Sequence, residues 1–172
     1  EKNFSKGEKT HKNILFSLEN TSENLSRVYD KTPFINLGEE GLLIDISANG
    51  LKKRIEHINA KKIVLGLSGG LDSTLALIIS ARAMELLSRP KKDIIAITMP
   101  CFGTSKRTFD NSVILAKAFG VTLKKIDILK AVRRHLKDIS HPEDLHDACY
   151  ENSQARERTQ ILMDYANACG GL

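Results

Sequence analysis

Ile63-Val64-Leu65-Gly66-Leu67-Ser68-Gly69-Gly70-Leu71-Asp72-Ser73-Thr74 joins a short apolar run to a glycine–serine turn and then to a second apolar stretch. The run Ile63–Leu67, closed by glycines, predicts a buried strand. Ser73–Leu87 is strongly apolar at helical length and predicts a helix. A strand–loop–helix unit places the loop at the carboxyl end of the strand, where open α/β sheets bind ligands. A helix amino terminus offers free N–H groups and the positive end of the peptide dipole, so it suits phosphate. Gly69 and Gly70 let the backbone approach phosphate oxygens, and Ser68 and Ser73 add hydroxyls. Asp72 puts a carboxylate beside those phosphates, an arrangement that requires Mg²⁺ between them. No lysine stands where a Walker A loop needs one, and Gly66, Gly69 and Gly70 do not have the spacing of the dinucleotide fingerprint. The plainer alternative is a glycine turn with a serine cap and an acidic first helical turn.

Outward from this loop the same alternation continues. Leu43, Ile46, Leu51, Ile55 and Ile58 recur at mostly helical spacing over 42–58. Ile94–Met99 predicts a second buried strand, stopped by Pro100, and Thr108–Phe119 a helix stopped by Gly120. Val121–Ile128 predicts a third strand and Ala131–Ile139 a short helix. Residues 140–151 read as a polar loop, and Asn152–Cys169 as a last helix ended by Gly170-Gly171. Strands alternating with helices imply an α/β fold, a parallel sheet with flanking helices joined by right-handed crossovers. Three strands make a thin layer, so further strands are expected beyond Leu172, and Gly-Gly-Leu reads as a helix handing over to one. On the last helix, Ala155, Thr159, Leu162, Ala166 and Cys169 form the expected core stripe. Residues 1–41 are rich in Asn, Ser, Glu and Lys. They read as a linker or domain edge, with a short strand expected from Ile14-Leu15-Phe16 and an extended connector at Thr32-Pro33-Phe34.

Composition narrows the class. The 172 residues suit one ordinary domain, and 41% hydrophobic with 27% charged residues is a globular balance. No apolar run approaches the roughly 18 residues of a membrane span, and the polar start carries no signal peptide. Cys101, Cys149 and Cys169 are odd in number and widely spaced, which argues for a reducing, cytoplasmic setting rather than a disulfide framework. Residues 1–60 balance nine basic against nine acidic side chains, so the net charge of +5 lies wholly in 61–172. That excess suits either a solvated basic face or attraction of a polyanion. With aromatics at 5% and no interleaved RNA-binding signature, nucleic acid is not the expected partner. His141, Asp144, His146, Asp147 and Cys149 match no zinc-finger or ribbon spacing and read as a polar loop. Cys149 and Cys169 read as small buried residues rather than nucleophiles.

Ser68-Gly69-Gly70-Leu71-Asp72-Ser73 resembles the pyrophosphate loop of the N-type ATP pyrophosphatases at every fixed position. Thr98-Met99-Pro100-Cys101-Phe102-Gly103-Thr104-Ser105-Lys106-Arg107-Thr108 and Glu151-Asn152-Ser153-Gln154-Ala155-Arg156-Glu157-Arg158-Thr159 further resemble glutamine-dependent NAD synthetases of the long, two-domain form. The likeness covers about residues 42–172 strongly. Tyr29–Phe34 resembles the connector into that domain, and residues 1–28 carry little. The resemblance implies a Rossmann-like adenine nucleotide alpha hydrolase fold, interrupted at the carboxyl end, with 1–41 as the edge of a preceding amidase domain. It implies ATP-dependent amidation of deamido-NAD to NAD through an adenylate, releasing AMP and pyrophosphate, with ATP and Mg²⁺ required.

On this reading Gly66, Leu67, Ser68, Gly69, Gly70, Leu71, Asp72, Ser73 and Met99 bind ATP, and Asp72 holds the metal. Asn152 and Arg156, four apart and on one helix face, fall on the deamido-NAD part of the motif. Arg158 stands about 200° from Arg156 and points elsewhere; Lys106 and Arg107 could neutralise phosphate or simply be exposed. No protein nucleophile is needed. Ammonia is expected from a glutamine-hydrolysing amidase domain ahead of residue 1, and homo-oligomerisation is expected. The chain alone is expected to bind ATP weakly and to make no NAD. The competing readings are a tRNA-modifying enzyme that uses the same loop, or an inactive nucleotide-binding module.

Overall fold

The computed structural model describes residues 15–17 and 40–172. The chain divides into units Glu1–Ile35 and Asn36–Leu172, and the fold that follows belongs to the second. Ile14, Thr32-Pro33-Phe34 and the Tyr29–Phe34 connector lie outside the described residues. Leu15 and Phe16, expected to open a strand, are exposed and in no strand. A three-residue apolar run is too short for its periodicity to specify a strand.

In chain order the elements are α1 (Glu40–Ile58), β1 (Ile63–Gly66), α2 (Leu71–Leu86), a 3₁₀ turn (Lys91–Asp93), β2 (Ile94–Thr98), α3 (Lys106–Phe119), β3 (Thr122–Lys125), α4 (Leu129–Asp138) and α5 (Ala148–Cys169). The strands form a parallel sheet in the order β1-β2-β3, with Ile63 opposite Ile94 and Ile95 opposite Thr122. β2 is central and buried throughout, as a continuous apolar run demands. The sheet separates two cores. On one face Ile63, Leu65, Ile94 and Ala96 meet Ile55 of α1, Leu77 and Met84 of α2, and Ala116 of α3. On the other, Ile95, Ile97 and Met99 meet Val132 and Leu136 of α4 and Tyr150, Ile161 and Leu162 of α5. The alternation of faces along β2 is the period-two geometry of a strand, so one five-residue segment holds both helical layers.

Element ends moved inward or outward for identifiable reasons. α3 starts two residues before Thr108 because Ser105 caps it, its hydroxyl accepting the Thr108 N–H at 3.2 Å. α5 starts at Ala148, not Asn152, because Asp147 caps it through the Tyr150 N–H at 3.0 Å. The third strand is only four residues long, although the Ile126 N–H still reaches the Thr98 carbonyl at 3.0 Å. Gly120 and Gly170 end α3 and α5 in the left-handed conformation expected of helix stops. After Gly170 the chain turns extended: Gly171 bridges Lys62 in parallel, the Val64 N–H donates to the Leu172 carbonyl at 2.8 Å, and the Leu172 N–H donates to the Lys62 carbonyl at 3.0 Å. The helix does hand over to sheet pairing, on the edge of β1 away from β2.

One core expectation needs correction. Leu162 and Cys169 do pack against the core, but Ala155 and Thr159 are exposed, and the inward side of α5 begins instead with Tyr150, Ser153 and Gln154 and continues through Ile161 and Tyr165. The apolar letters were too sparse in the first half of that helix to fix its rotation, and polar Ser153 and Gln154 took the buried positions. On α1, Ala48 and Ile55 are buried, whereas Leu43, Ile46 and Ile58 stay exposed. Among the described residues no helix is long and apolar enough to cross a membrane.

Candidate functional site

The loop after β1 is held in shape by its own backbone and hydroxyls. The Leu67 N–H donates to the Ile97 carbonyl at 2.9 Å, which ties the loop's start to β2, and the Leu67 side chain is buried in the core. The Gly70 N–H donates to Ser68 Oγ at 3.2 Å. The Gly70 carbonyl accepts from Ser73 Oγ at 3.0 Å, Thr74 Oγ1 at 2.8 Å and the Thr74 N–H at 3.1 Å. Ser68 Oγ and Ser73 Oγ lie 3.1 Å apart.

Gly69 is the residue the fold cannot replace. Its φ is +82°, and a Cβ there would stand 2.2 Å from the Thr108 carbonyl oxygen of α3. Gly66 serves packing: a Cβ would meet the Leu162 methyl of α5 at 3.2 Å and Met99 Cε at 3.5 Å.

α2 begins differently from α3 and α5. Its cap is Gly70, in extended conformation and with no side-chain hydrogen bond. The serine-cap alternative is therefore set aside, since Ser68 accepts from Gly70 and not from the helix. The first-turn N–H groups of Leu71, Asp72 and Ser73 are left for an outside acceptor, at the positive end of a helix of 16 residues. Asp72 lies in that turn, is exposed, and makes no ion pair among the described residues.

Beside the loop a cleft of about 420 Å³ opens over the carboxyl ends of the strands. Ser68 and Gly70 form one end of it, Thr98, Met99 and Pro100 the floor, and Thr104 and Thr108 the α3 side. Glu151, Gln154 and Arg158 enter from α5. Their spacing of three and four residues puts them on one helix face. Phe102 closes the far side, stacked in tilted fashion on Tyr150 at 5.3 Å and lying under Arg133 at 5.4 Å. At the base of the neighbouring loop, burial pushes the Cys101 thiol up, so it is held neutral.

The expected site residues therefore divide. Ser68, Gly70 and Met99 line the cleft; exposed Leu71 and Asp72 and half-buried Ser73 form the first turn beside it; Gly66, Leu67 and Gly69 build the loop. Arg156 does not line this cleft. It sits on the other side of α5, in a separate hollow with Val132, His135, Ser153, Glu157 and Gln160, and Asn152 is exposed. Arg156 and Arg158 do point apart, as the helical turn requires, but Arg158 is the one that faces the loop. Lys106 and Arg107 are exposed in the first turn of α3 and outside the cleft. Glu151, Gln154 and Arg158 share a spacing legible in the sequence, but the rotation of α5 that aims them inward depends on where Tyr150 and Ile161 pack.

A parallel three-stranded sheet with flanking helices and a glycine–serine loop at its carboxyl edge defines a domain of the Rossmann-like α/β class, with the loop where such sheets bind ligands. The particular family follows from sequence comparison: residues 43–172 match the NAD synthase family, and the chain belongs to it. It is similar to the glutamine-dependent NAD(+) synthetase of Mycobacterium leprae, 40% identical over 171 residues that cover 92% of this chain and 25% of the relative. The glutamine-dependent NAD(+) synthetase of Thermotoga maritima is 32% identical over 72% of the chain and 21% of its own length. A solved structure of the glutamine-dependent NAD⁺ synthetase from Acinetobacter baumannii, in complex with ADP, superposes with a TM-score of 0.69 at 28% identity, over 77% of this chain and 24% of that one. The chain thus spans about a quarter of the length of these relatives. The tRNA-modifying alternative is not favoured by any of these similarities.

Proposed function

We propose that this chain supplies the ATP-phosphate side of an NAD synthetase, which amidates deamido-NAD to NAD. The carboxylate oxygen of deamido-NAD bonds to the α-phosphorus of ATP, and the α–β phosphoanhydride bond breaks to release pyrophosphate. Ammonia then bonds to the activated carbonyl carbon, AMP leaves with the electron pair, and a proton is lost from nitrogen. In glutamine-dependent relatives ammonia comes from glutamine, and the same source is proposed for the intact protein, along with self-association.

The observation that carries this reading is the uncapped start of α2. Its N–H groups are preorganised donors for the departing pyrophosphate, aimed by the Gly70 carbonyl's three hydrogen bonds. Ser68 is placed to donate to a β- or γ-phosphate oxygen once its hydroxyl turns from Ser73 Oγ to the ligand, while it still accepts from the Gly70 N–H. Thr98 and Met99, at the strand end, form the wall against which adenosine rests. Arg158 sets a permanent positive charge at the opposite side of the cleft, suited to the α-phosphate or to the substrate carboxylate. An exposed, unpaired carboxylate in the first turn of α2 fits a hard cation, so Asp72 is the residue to hold Mg²⁺, which when bound neutralises phosphate charge. Asn152 remains the proposed contact of deamido-NAD on the outer side of α5, while Arg158 replaces Arg156 as the arginine of the cleft.

The test is AMP and pyrophosphate release by the intact protein with ATP, Mg²⁺, deamido-NAD and ammonium. Release that depends on deamido-NAD supports the reading; release driven by tRNA but not by deamido-NAD refutes it. Asn152→Ala is expected to raise KM for deamido-NAD by about tenfold, the value of one polar contact, with little change for ATP. Equal effects on both substrates would assign Asn152 to structure.

A further inference from the structure

Between α4 and α5 the chain brings together three residues that sequence spacing left in a polar loop. His141 Nε2 and Asp147 Oδ1 are 3.0 Å apart. The ligand atoms of His141, Asp147 and Cys149 all lie within 4.8 Å of one another. Asp144 and His146 are not in the group; His146 stacks on Tyr150 at 4.4 Å instead. Each of the three stands on fixed backbone. The His141 N–H closes α4 on the Leu136 carbonyl at 2.9 Å, after Ser140 in the left-handed region at φ 57°. Asp147 is the cap of α5, and Cys149 lies in its first turn.

His141 is unusual for a loop histidine, because its side chain is only 11% exposed. Its Nδ1 is the buried side-chain atom without a hydrogen-bond partner among the described residues. A buried imidazole nitrogen with no partner is costly, and the same ring turns its Nε2 to the Asp147 carboxylate in a mixed nitrogen–sulfur–oxygen group, a donor set that suits an ion.

We propose that His141, Asp147 and Cys149 bind a divalent transition ion of the zinc type. Three protein donors with a water completing a tetrahedron is an established zinc arrangement. At zinc–ligand distances the donor atoms of a tetrahedron stand roughly 3.3–3.6 Å apart, so small side-chain rotations close the present group around an ion. Thiolate and imidazole select zinc or cobalt over Mg²⁺ or Ca²⁺, which take oxygen donors. Thiolate, neutral imidazole and carboxylate are the forms in which these three side chains would hold the ion. The ion would pin the α4–α5 connection to the start of α5, whose Tyr150 packs on Phe102 of the cleft. This site stands independently of the nucleotide reading.

Cobalt(II) serves as the probe. The chelator-stripped protein is titrated with Co²⁺ in excess Mg²⁺, and the sulfur-to-cobalt charge-transfer absorption is followed. One equivalent with tetrahedral visible bands is expected, displaced by Zn²⁺. Cys149→Ser should abolish the charge-transfer band, and His141→Ala should weaken binding by at least about tenfold. Cys101→Ser and Cys169→Ser should leave it intact, and they show in parallel that removing a cysteine does not itself unfold the protein. Absence of the band, its loss on Cys101→Ser or Cys169→Ser, its survival in Cys149→Ser, or displacement of cobalt by Mg²⁺ would each overturn the assignment.

Discussion

At the amino-terminal end of β1 and β2 the partly buried charges of Lys62, Arg89 and Asp93 are closed on one another, while Lys61 and Lys92 stand exposed. Lys62 Nζ meets Asp93 Oδ1 at 2.6 Å, and Arg89 Nη2 meets Asp93 Oδ2 at 3.2 Å. Arg89 also donates to the Ala60 carbonyl at 2.8 Å and to the Lys61 carbonyl. At the carboxyl-terminal end of the same two strands, 4–5 residues away, the first turn of α2 has no side-chain cap, Asp72 has no ion pair among the described residues, and Arg158 lines the open cleft. Polar groups at one end are closed on each other and contribute to stability. At the other they are fixed in direction but left unmet, which is what a binding site requires. A substitution should therefore change stability or binding according to the end it strikes.

The largest effect is expected where the two roles coincide. Gly69→Ala forces a side chain against the Thr108 carbonyl at a positive φ and should destabilise by about 3 kcal/mol or more while abolishing ATP binding. Gly103→Ala, also at positive φ (+70°) but in open space, should cost only about 1–2 kcal/mol. Equal melting shifts for the two would mean that the Gly69–Thr108 approach is not limiting. Next, Asp72→Asn should lower pyrophosphate release in the intact protein by about 10²-fold with a melting temperature close to the parent's, since Asp72 is exposed. A large melting shift would move Asp72 to the stability end of the comparison.

Asp93→Asn should do the reverse, costing about 1.5–3 kcal/mol, the value of hydrogen bonds to a charged group, without changing ATP affinity. Hydrogen bonding to Lys62, then to Arg89, holds the Asp93 carboxyl below its ordinary value. Its contribution is thus complete above the unfolded carboxylate's range and is lost as pH falls through the lowered folded value. Acid titration of stability should show that loss in the parent and a flatter curve in the variant. The smallest contrast is on α5: Arg158→Ala should weaken ATP or deamido-NAD binding by about tenfold, and Arg156→Ala should leave ATP affinity unchanged. The opposite pattern would rotate the helix back toward Arg156.

The strand–loop–helix unit and both buried strands could be read directly, because unbroken runs such as Ile94–Met99 admit few other fates. The loop's shape was legible for the same reason: Gly69 and Gly70 act through backbone position, which their spacing sets. Arg158 and Gln154 were not legible as cleft residues. Their direction follows from the packing of Tyr150 on Phe102 and of Ile161 and Leu162 against β2's side of the core, contacts between segments about fifty residues apart. The same holds for His141, Asp147 and Cys149, whose meeting depends on the cap of α5 and on the turn at Ser140.

Val64 and Leu172, joined across the outer edge of β1, give the sheet a built-in reporter. Three amides, those of Lys61, Val64 and Leu172, owe their hydrogen-bond partners to this pairing, because β1 meets β2 through its other edge. In hydrogen–deuterium exchange they would measure the opening of that last extended segment separately from the opening of the sheet. Exchange at Leu172 as slow as at Ile97 would mean that the segment detaches only when the whole layer unfolds, whereas early exchange would mark it as an independently opening unit.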